Sequence, residues 1–390
     1  MRICFVNDFF LKDPSATITG PMVQTYLLAT GLARRGWTVD YVATTRSDRA
    51  GTSESHDGVT VHLVRASERW ELGGALRIQR HLRAIREDVF YQRGRSALTG
   101  VAARAARACG GKFVWASSGE SGVRRRKYLG QQLAKKKGWK RLLHWPIYAR
   151  ADRLYESGIE AADLVLVQTE TQREELRKEF RRDSVVFRSG HPSPPESVLH
   201  KPQPPVVLWI GAIKPAKQPQ MFLDLAAKCR DSDARFVLVG RVEDPKWRTT
   251  LAAAARNHPK FSHRDEVPFD QVSAVYAEAS VLVNTTVPDY EGLPNAFIQA
   301  WLHGVPVVSL HSNPDGILER EGIGYYAGTF EGIVDRVKHL LLHTTEREAM
   351  GRKARAVAEK QFGIERILDE FERLISNTPA APPRPQTGRC

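Results

Sequence analysis

The chain has 390 residues, of which 42% are hydrophobic and 26% are charged, and its formal net charge is +14. This length suits two domains of ordinary size, and the composition is that of a folded globular protein. No stretch approaches the ~20 apolar residues of a membrane-spanning helix. The start of the chain, Met1 to Val6, predicts a first strand and not a signal peptide.

The positive charge is uneven. Residues 1–200 carry 34 Lys and Arg against 21 Asp and Glu, whereas residues 201–390 carry 24 against 23. One half of the chain is therefore expected to meet an anionic partner. The cysteines have no metal-site spacing, so we expect reduced thiols in a cytoplasmic protein; they are Cys4, Cys109, Cys229 and Cys390.

Strand and helix patterns alternate along the first half of the chain. Strands are predicted at residues 1–7, 38–43, 58–63, 88–92, 112–116, 162–168 and 184–188, and helices at 22–35, 77–86 and 169–180. Such alternation indicates a mainly parallel sheet with helices on both faces.

A proline-rich segment interrupts this pattern, with six prolines in fifteen residues from His191 to Pro205. After it, strands are predicted at 206–210, 235–239, 280–284 and 305–309, with helices at 218–230 and 364–375. We therefore predict an N-terminal domain (1–191), a linker (192–205), a second domain (206–363), a last helix (364–377) and a disordered tail (378–390).

The most informative segment runs from Glu291 through Gly292, Leu293, Pro294 and Asn295 to Gln299. Proline suits the first turn of a helix, so a helix is expected to open near Pro294 and to end at Gly304. The amides at its start, a carboxylate before it and a side-chain amide two turns into it together suit a sugar and its diphosphate.

This segment resembles the signature of family-4 retaining glycosyltransferases, in which two glutamates are separated by seven residues and the first lies in E-G-x-P-N. The second acid of that signature is Gln299 here. The resemblance implies the GT-B fold, an α/β architecture of two doubly wound Rossmann-like domains that face across a cleft, with a helix crossing back to the first domain. It also implies that Glu291 bonds the donor sugar and that Gln299 holds the ribose.

The resemblance assigns further residues to the donor. Family members carry G-R-x-x-x-x-K after the first strand of the second domain, and this chain has Gly211, Ala212 and Lys217 at the matching positions. Lys217 is expected to neutralise the diphosphate, and Lys214 to replace the missing arginine. Gly20 resembles the glycine turn that faces the donor phosphate, although a plain strand–helix connection explains it equally well.

A basic segment interspersed with leucine and tryptophan spans Arg124 to Arg141. The mixture predicts an interfacial surface for an anionic membrane or acceptor, and the alternative is a solvated basic face. No nucleic-acid motif accompanies it. Its basic residues are Arg124, Arg125, Arg126, Lys127, Lys135, Lys136, Lys137, Lys140 and Arg141.

For the remaining polar residues, the sequence favours structural over catalytic roles. Ser118 and Glu120 follow a strand but suit a turn, and a lone histidine such as His144 or His191 is more often structural than catalytic. Asp231-Ser232-Asp233 matches an acid-x-acid metal motif but lies between a helix and a strand, where a turn is expected. We therefore predict no metal and no cofactor.

These observations predict a metal-independent retaining glycosyltransferase. It would move a sugar from a nucleoside diphosphate sugar to a glycan acceptor, which the resemblance implies is lipid-linked, in polysaccharide or glycoconjugate biosynthesis. The protein would be cytoplasmic and peripheral on the inner face of the cell membrane, with no nucleic-acid partner. Gln299 and Ala212 leave open an inactive scaffold, and the fold also hosts sugar-nucleotide 2-epimerases, which lack the E-G-x-P-N segment.

Overall fold

The computed structural model describes residues 1–14, 16–66, 71–82 and 84–379. The chain forms two compact units. The first unit comprises Met1–Ser189 and the segment that begins at Ile364, and the second comprises Gly190–Gly363. No helix among the described residues combines the length and the apolar character needed to cross a membrane.

The first unit contains an eight-stranded sheet in the order β3-β4-β2-β1-β5-β6-β7-β8. Neighbouring strands are parallel, except that β3 and β4 are antiparallel. The strands are β1 (Arg2–Asn7), β2 (Thr38–Thr45), β3 (Ser53–His56), β4 (Val59–Arg65), β5 (Val89–Arg93), β6 (Lys112–Ala116), β7 (Leu164–Val167) and β8 (Val185–Val186). Seven of them were predicted. β3 was not, because it is a polar edge strand without an apolar alternation.

In the described part of this unit, six α-helices connect the strands: α1 (Gly20–Arg34), α2 (Glu71–Leu82), α3 (Ala97–Cys109), α4 (Lys127–Ala134), α5 (Lys140–Glu160) and α6 (Glu170–Phe180). The helix predicted at 77–86 is α2, which lies several residues earlier. Ile78 and Leu82 of α2, one turn apart, are both fully buried in the core of the unit. That apolar pair, and not the run of basic residues, fixes the position of the helix.

The second unit contains a six-stranded parallel sheet in the order β11-β10-β9-β12-β13-β14. Its strands are β9 (Val206–Ile210), β10 (Arg235–Val239), β11 (Phe261–Arg264), β12 (Val281–Asn284), β13 (Val307–Ser309) and β14 (Gly324–Tyr326). Its helices are α7 (Pro219–Lys228), α8 (Lys246–Asn257), α9 (Val272–Glu278), α10 (Asn295–Leu302), α11 (Ile317–Arg320), α12 (Phe330–Leu342) and α13 (Thr344–Phe362). Apolar clusters cover the sheet and bury most residues of its four central strands, β10, β9, β12 and β13.

The last helix, α14 (Ile364–Asn377), packs within the first unit. Arg35, which follows α1, donates to the carboxylates of Glu365, Asp369 and Glu372 at 2.7, 2.7 and 2.8 Å. Leu368 lies so close to Gly31 that a Cβ there would approach it to 2.7 Å. Salt bridges and close packing therefore hold α14 against α1.

The remaining segments are irregular. Residues 192–205, all of them described, contain one turn of 3-10 helix at Glu196–Leu199 and no strand or α-helix. The predicted disordered tail lies outside the described residues, except for its first two positions. Cys4, Cys109 and Cys229 are free thiols, and burial raises the pKa of Cys229 to about 11.

Each sheet has one point at which the strand order reverses. In the first unit β1 lies between β2 and β5, and in the second β9 lies between β10 and β12. In open parallel sheets, ligands bind beyond the carboxyl ends of the strands at such a point. The residues that follow β1 and β5, and those that follow β9 and β12, are therefore where functional groups are expected.

Candidate active site

Two loops meet at the strand reversal of the second sheet. The loop after β9 carries Gly211, Lys214 and Lys217, and the loop after β12 carries Thr286 and Glu291. Although they are 74 positions apart, the Lys217 ammonium and the Glu291 carboxylate form an ion pair. Their side chains are 15% and 21% exposed, so the pair is accessible but partly shielded from water.

A hydrogen bond orients the carboxylate of that pair. The Thr286 hydroxyl donates to the second carboxylate oxygen of Glu291 at 2.9 Å, and Thr286 itself is buried. Each oxygen of Glu291 therefore has its own partner, one cationic and one neutral. A carboxylate held in this way keeps a fixed orientation, which a catalytic or ligand-binding group needs.

Hydrogen bonds to the backbone fix the position of Lys217 in the pair. The Thr285 hydroxyl donates to the carbonyl oxygen of Lys217 at 2.7 Å, and the indole N–H of Trp209 donates to the same hydroxyl at 2.8 Å. The amide of Val287 adds a bond of 3.0 Å to the carbonyl of Ala216. Strand β9, the loop that carries Lys217 and the segment after β12 are thereby joined into one scaffold.

Lys214 lies outside this ion pair. Its ammonium is 3.9 Å from the carboxylate of Glu243 and 5.6 Å from the ring centroid of Tyr290. Its neighbour Ala212 offers no charge. Lys214 is therefore a cation on the same loop as Lys217, with different partners.

Gly211, which follows β9, packs directly against the backbone of Gly240. The backbone of Gly240, which follows β10, approaches Gly211 so closely that a Cβ on Gly240 would be 1.8 Å from the Gly211 carbonyl oxygen. The Gly211 amide also donates to Val239 at 3.0 Å. Because no side chain fits between the two loops, Gly240 must be glycine for Gly211 to keep its position.

Helix α10 begins where the sequence predicts, with Pro294 as its N-cap and Asn295 as its first residue. Phe297 and Trp301 are fully buried and anchor the helix, and Trp301 stacks on Phe362 with 5.8 Å between ring centroids. Asn295 and Gln299 are one turn apart and both half-buried. The three residues before its N-terminus are buried: Gly292, Leu293 and Pro294. At its C-terminus, the helix ends at Leu302, two residues before Gly304.

His191 was a weak candidate in the sequence, and the structure places it against the start of α10. It is fully buried, its backbone N–H donates to Phe362, and its side chain hydrogen-bonds that of Asn295. Burial is the largest cause that lowers the pKa of His191, to about 3, although the Asn295 hydrogen bond opposes it. His191 is therefore a neutral support for Asn295. No sequence signal marked this contact, because the two residues are 104 positions apart.

The first unit has its own cavity at the strand reversal of its sheet. It measures about 510 Å³ and is lined by residues that follow β1, β2, β5 and β6, and by the first residues of α1 and α3. The lining includes Thr19, Pro21 and Ser118. Gly20, the exposed first residue of α1, lies between Thr19 and Pro21 in the chain. Glu120 instead accepts hydrogen bonds from Thr169 and Gln172, as a structural residue would.

The basic segment divides into two groups in the structure. Arg124 and Arg125 form ion pairs, Arg124 with Glu175 at 3.3 Å and Arg125 with Glu160 at 2.6 Å. Burial and two neighbouring arginines lower the pKa of Lys127 to about 8. Arg125 and Lys127 are therefore partly internal, contrary to a fully exposed basic surface.

The second group has a different character. Lys135, Lys136, Lys137, Lys140 and Arg141 form no ion pair among the residues that the structure describes. Exposed apolar side chains surround them at the start of α5: Trp139 (69% exposed), Leu142 (79%), Leu143 (60%) and Trp145 (52%). We call residues 135–145 the basic-apolar surface.

Within the described part of the chain, one group of side chains has metal-binding geometry. His339, His343 and Glu346 place three ligand atoms within 4.8 Å of one another between α12 and α13. The Asp231-Ser232-Asp233 segment forms a turn, as predicted, since the Ser232 amide bonds Cys229 at 3.0 Å and Asp233 pairs with Lys260 at 3.5 Å. Independence of a catalytic metal stays a prediction.

Family models match both units. Residues 19–190 match the model described as "Glycosyl transferase 4-like domain", and residues 204–343 match "Glycosyl transferases group 1". No curated protein matches the sequence significantly. Both units thus match glycosyltransferase models, which between them span most of the chain.

Solved structures share the fold at low identity. Sucrose-phosphate synthase from Thermosynechococcus elongatus has a TM-score of 0.72 at 15% identity, over 96% of this chain and 98% of its own. HepE from Anabaena, solved with UDP-glucose, has a TM-score of 0.67 at 15% identity, over 96% and 99%. The lipopolysaccharide-biosynthesis enzyme WaaG has 0.67 at 15%, over 96% and 100%.

The two units have the GT-B fold, and the family models identify a glycosyltransferase. Within that class, the first unit matches the 4-like model and the second unit matches the group 1 model.

Proposed function

We propose that the chain is a retaining glycosyltransferase that takes a sugar from a nucleoside diphosphate sugar bound on the second unit. The observation that carries the proposal is the ion pair of Lys217 and Glu291, placed at the strand reversal and in front of α10. HepE, which shares the fold, was solved with UDP-glucose, and this is consistent with such a donor.

The donor would be recognised by charge and by hydrogen bonds. Lys217, with Lys214 on the same loop, would bind the diphosphate, and the N-terminus of α10 would add the positive end of its helix dipole. Gln299 can both donate to and accept from the ribose hydroxyls. The lysines and the helix terminus would supply the positive charge that a metal ion supplies elsewhere, so we propose transfer without a metal.

The chemistry would proceed on one face of the sugar. The bond between the anomeric carbon and the leaving phosphate oxygen breaks, and the acceptor hydroxyl oxygen bonds that carbon from the same side. The acceptor proton passes to the departing phosphate, which leaves as part of the nucleoside diphosphate. Glu291 would stabilise the positive charge that develops at the anomeric carbon, and Lys217 the negative charge on the leaving group.

The acceptor would bind the first unit, and we propose that it is a glycan carried on a lipid at a membrane. The basic-apolar surface supports this, because its lysines suit anionic headgroups and its exposed tryptophans and leucines suit the boundary between headgroups and acyl chains. The protein would then act peripherally on the cytoplasmic face of the membrane in polysaccharide or glycoconjugate biosynthesis.

Calorimetry with a panel of nucleoside diphosphate sugars tests the donor site. One donor should bind wild type with selectivity, and Lys217→Ala should weaken it about tenfold or more, since a charge-assisted contact to the diphosphate is lost. Lys228→Ala, at the exposed C-terminal end of α7, is the matched control and should bind as wild type does.

Turnover separates an enzyme from a binding protein of the same fold. With the selected donor, wild type should release nucleoside diphosphate, and NMR of the product should show the anomeric configuration of the donor. Selective binding without turnover under any acceptor condition would instead indicate an inactive homologue, and an inverted product would contradict retention.

A further inference from the structure

The cavity of the first unit contains a buried charge. Arg93 is the last residue of β5, lines the 510 Å³ cavity and is 5% exposed. Its Nη2 donates to the Ser189 hydroxyl at 2.9 Å, and its Nε has no hydrogen-bond partner. Among the described residues it has no carboxylate within ion-pair distance, and its other polar neighbour, the Tyr91 hydroxyl, is neutral. A buried guanidinium without an anion is unfavourable.

Arg95, two positions further along the chain, differs from Arg93 because it forms ion pairs with carboxylates of the protein. Arg95 lines the same cavity, and its Nη2 lies 2.5 Å from the Asp152 carboxylate and 3.3 Å from that of Glu156. Arg95 is therefore neutralised within the protein, whereas Arg93 is not. The described part of the protein therefore provides carboxylates for Arg95 but not for Arg93, although both arginines line the same cavity. An anionic ligand in the cavity would supply the partner that Arg93 lacks.

The surroundings of the cavity also favour an anion. The first residues of two helices, α1 and α3, line it, and the positive ends of their dipoles lie there. Arg46 lies at the exposed rim with its guanidinium 5.3 Å from the Phe9 ring centroid. One carboxylate, the exposed Asp8, is also in the lining. It can accept a hydroxyl hydrogen from the neutral part of a sugar ligand.

We infer that this cavity binds the acceptor through an anionic group, a phosphate or a carboxylate, whose charge is matched by Arg93. The inference rests on the proposed function, since it names the class of acceptor: an anionic sugar or glycan. A guanidinium presents parallel N–H donors that match two oxygens of either group.

Binding of glucose 6-phosphate, glucuronate and glucose to the full-length protein tests the inference by calorimetry at constant ionic strength. The anionic sugars should bind and glucose should not, with the stronger of the two identifying phosphate or carboxylate. Arg93→Met should weaken anion binding at least tenfold, and Arg93→Lys less. Arg65→Gln, an exposed arginine outside the cavity lining, should leave it unchanged.

Thermal unfolding without ligand adds a readout that does not depend on the choice of sugar. Since Arg93→Met removes an unmatched buried charge, the melting temperature should stay the same or rise. A lower melting temperature together with intact anion binding would show that Arg93 is only structural and would overturn the inference. Equal binding of glucose and the anionic sugars would also overturn it.

Donor binding is measured in parallel with Arg93→Met and should be unchanged, because Lys217 and Glu291 lie on the other unit. If the wild-type protein bound no nucleoside diphosphate sugar, the proposed function would be wrong. Normal donor binding with no affinity for either anionic sugar would count against the anion site alone.

Discussion

Lys217 and Glu291 form an ion pair at the strand reversal of the second sheet, each delivered by a different loop. The Thr286 hydroxyl fixes the carboxylate, and the Thr285 hydroxyl fixes the backbone of the lysine. A glycosyl donor needs a cation for its leaving group and an anion near its anomeric carbon. This pair presents a cation and an anion at one place.

Replacing Glu291 by glutamine should lower turnover by about 100-fold, since the charge proposed to stabilise the developing cation is lost while the shape is kept. Donor affinity should change by only a few fold, because the Lys217 contact to the diphosphate remains. Initial rates and calorimetry on the same protein preparation measure both quantities. Equal losses of turnover and affinity would assign Glu291 to donor binding alone.

Replacing Thr286 by valine should lower kcat by roughly tenfold, because a hydrogen bond to a charged group contributes ~1.5–3 kcal/mol and here orients Glu291. KM for the donor should move little. Thr286→Ser keeps the hydroxyl and should restore most of the rate. If the serine variant were as slow as the valine variant, packing of the buried side chain and not the hydrogen bond would explain the effect.

The free energy of unfolding should fall as the pH drops below about 6.5. Unfolded histidine binds a proton there, whereas His191 and His303 stay neutral in the folded protein until the pH nears their lowered pKa values of about 3 and about 4. The unfolded state then binds more protons, at a cost of about 1.4 kcal/mol per pH unit for each group.

Denaturant titrations at pH 7.5 and 5.5 measure this dependence. His191→Gln should be less pH-sensitive than wild type by about 1.4 kcal/mol over the interval, because one of the two neutral histidines is gone. His303→Gln removes the other histidine with a lowered pKa and should reduce the dependence by a similar amount. An unchanged dependence in His191→Gln would show that His191 is protonated in the fold.

Binding to vesicles should require the basic-apolar surface. Charge reversal of Lys135, Lys136 and Lys137 to glutamate should abolish sedimentation with anionic vesicles, since each cation near such a surface contributes ~1 kcal/mol. Binding should weaken as salt rises, and neutral vesicles should bind poorly. Alanine at both Trp139 and Leu142 should weaken binding while leaving the charge unchanged.

The matched control for charge reverses three exposed basic residues on α8, Lys246, Arg248 and Arg256. It changes the net charge by the same amount on the other unit and should bind vesicles as wild type does. If both triple variants lost binding equally, net charge and not the basic-apolar surface would explain membrane attraction.

Local sequence patterns determined much of the fold. Strands β6, β9 and β10 lie where they were predicted, because short apolar runs bounded by turn residues are strongly constrained on their own. The start of α10 was equally clear, since Pro294 and Gly304 mark its ends through backbone geometry. Helices α3 and α5 were not predicted: α3 is rich in alanine with only Arg104 and Arg107 as charged residues, and α5 contains Pro146.

The sequence by itself determined the alternating α/β pattern, the turn that carries Glu291 and the concentration of basic charge in one half. Only the tertiary structure decided which of these groups meet. It paired Lys217 with Glu291, placed His191 against Asn295 and gave Arg95 its carboxylates, while the described residues leave Arg93 without one. The physical reason is that charge pairing and burial depend on distances between residues far apart in the chain, which short-range propensity does not encode.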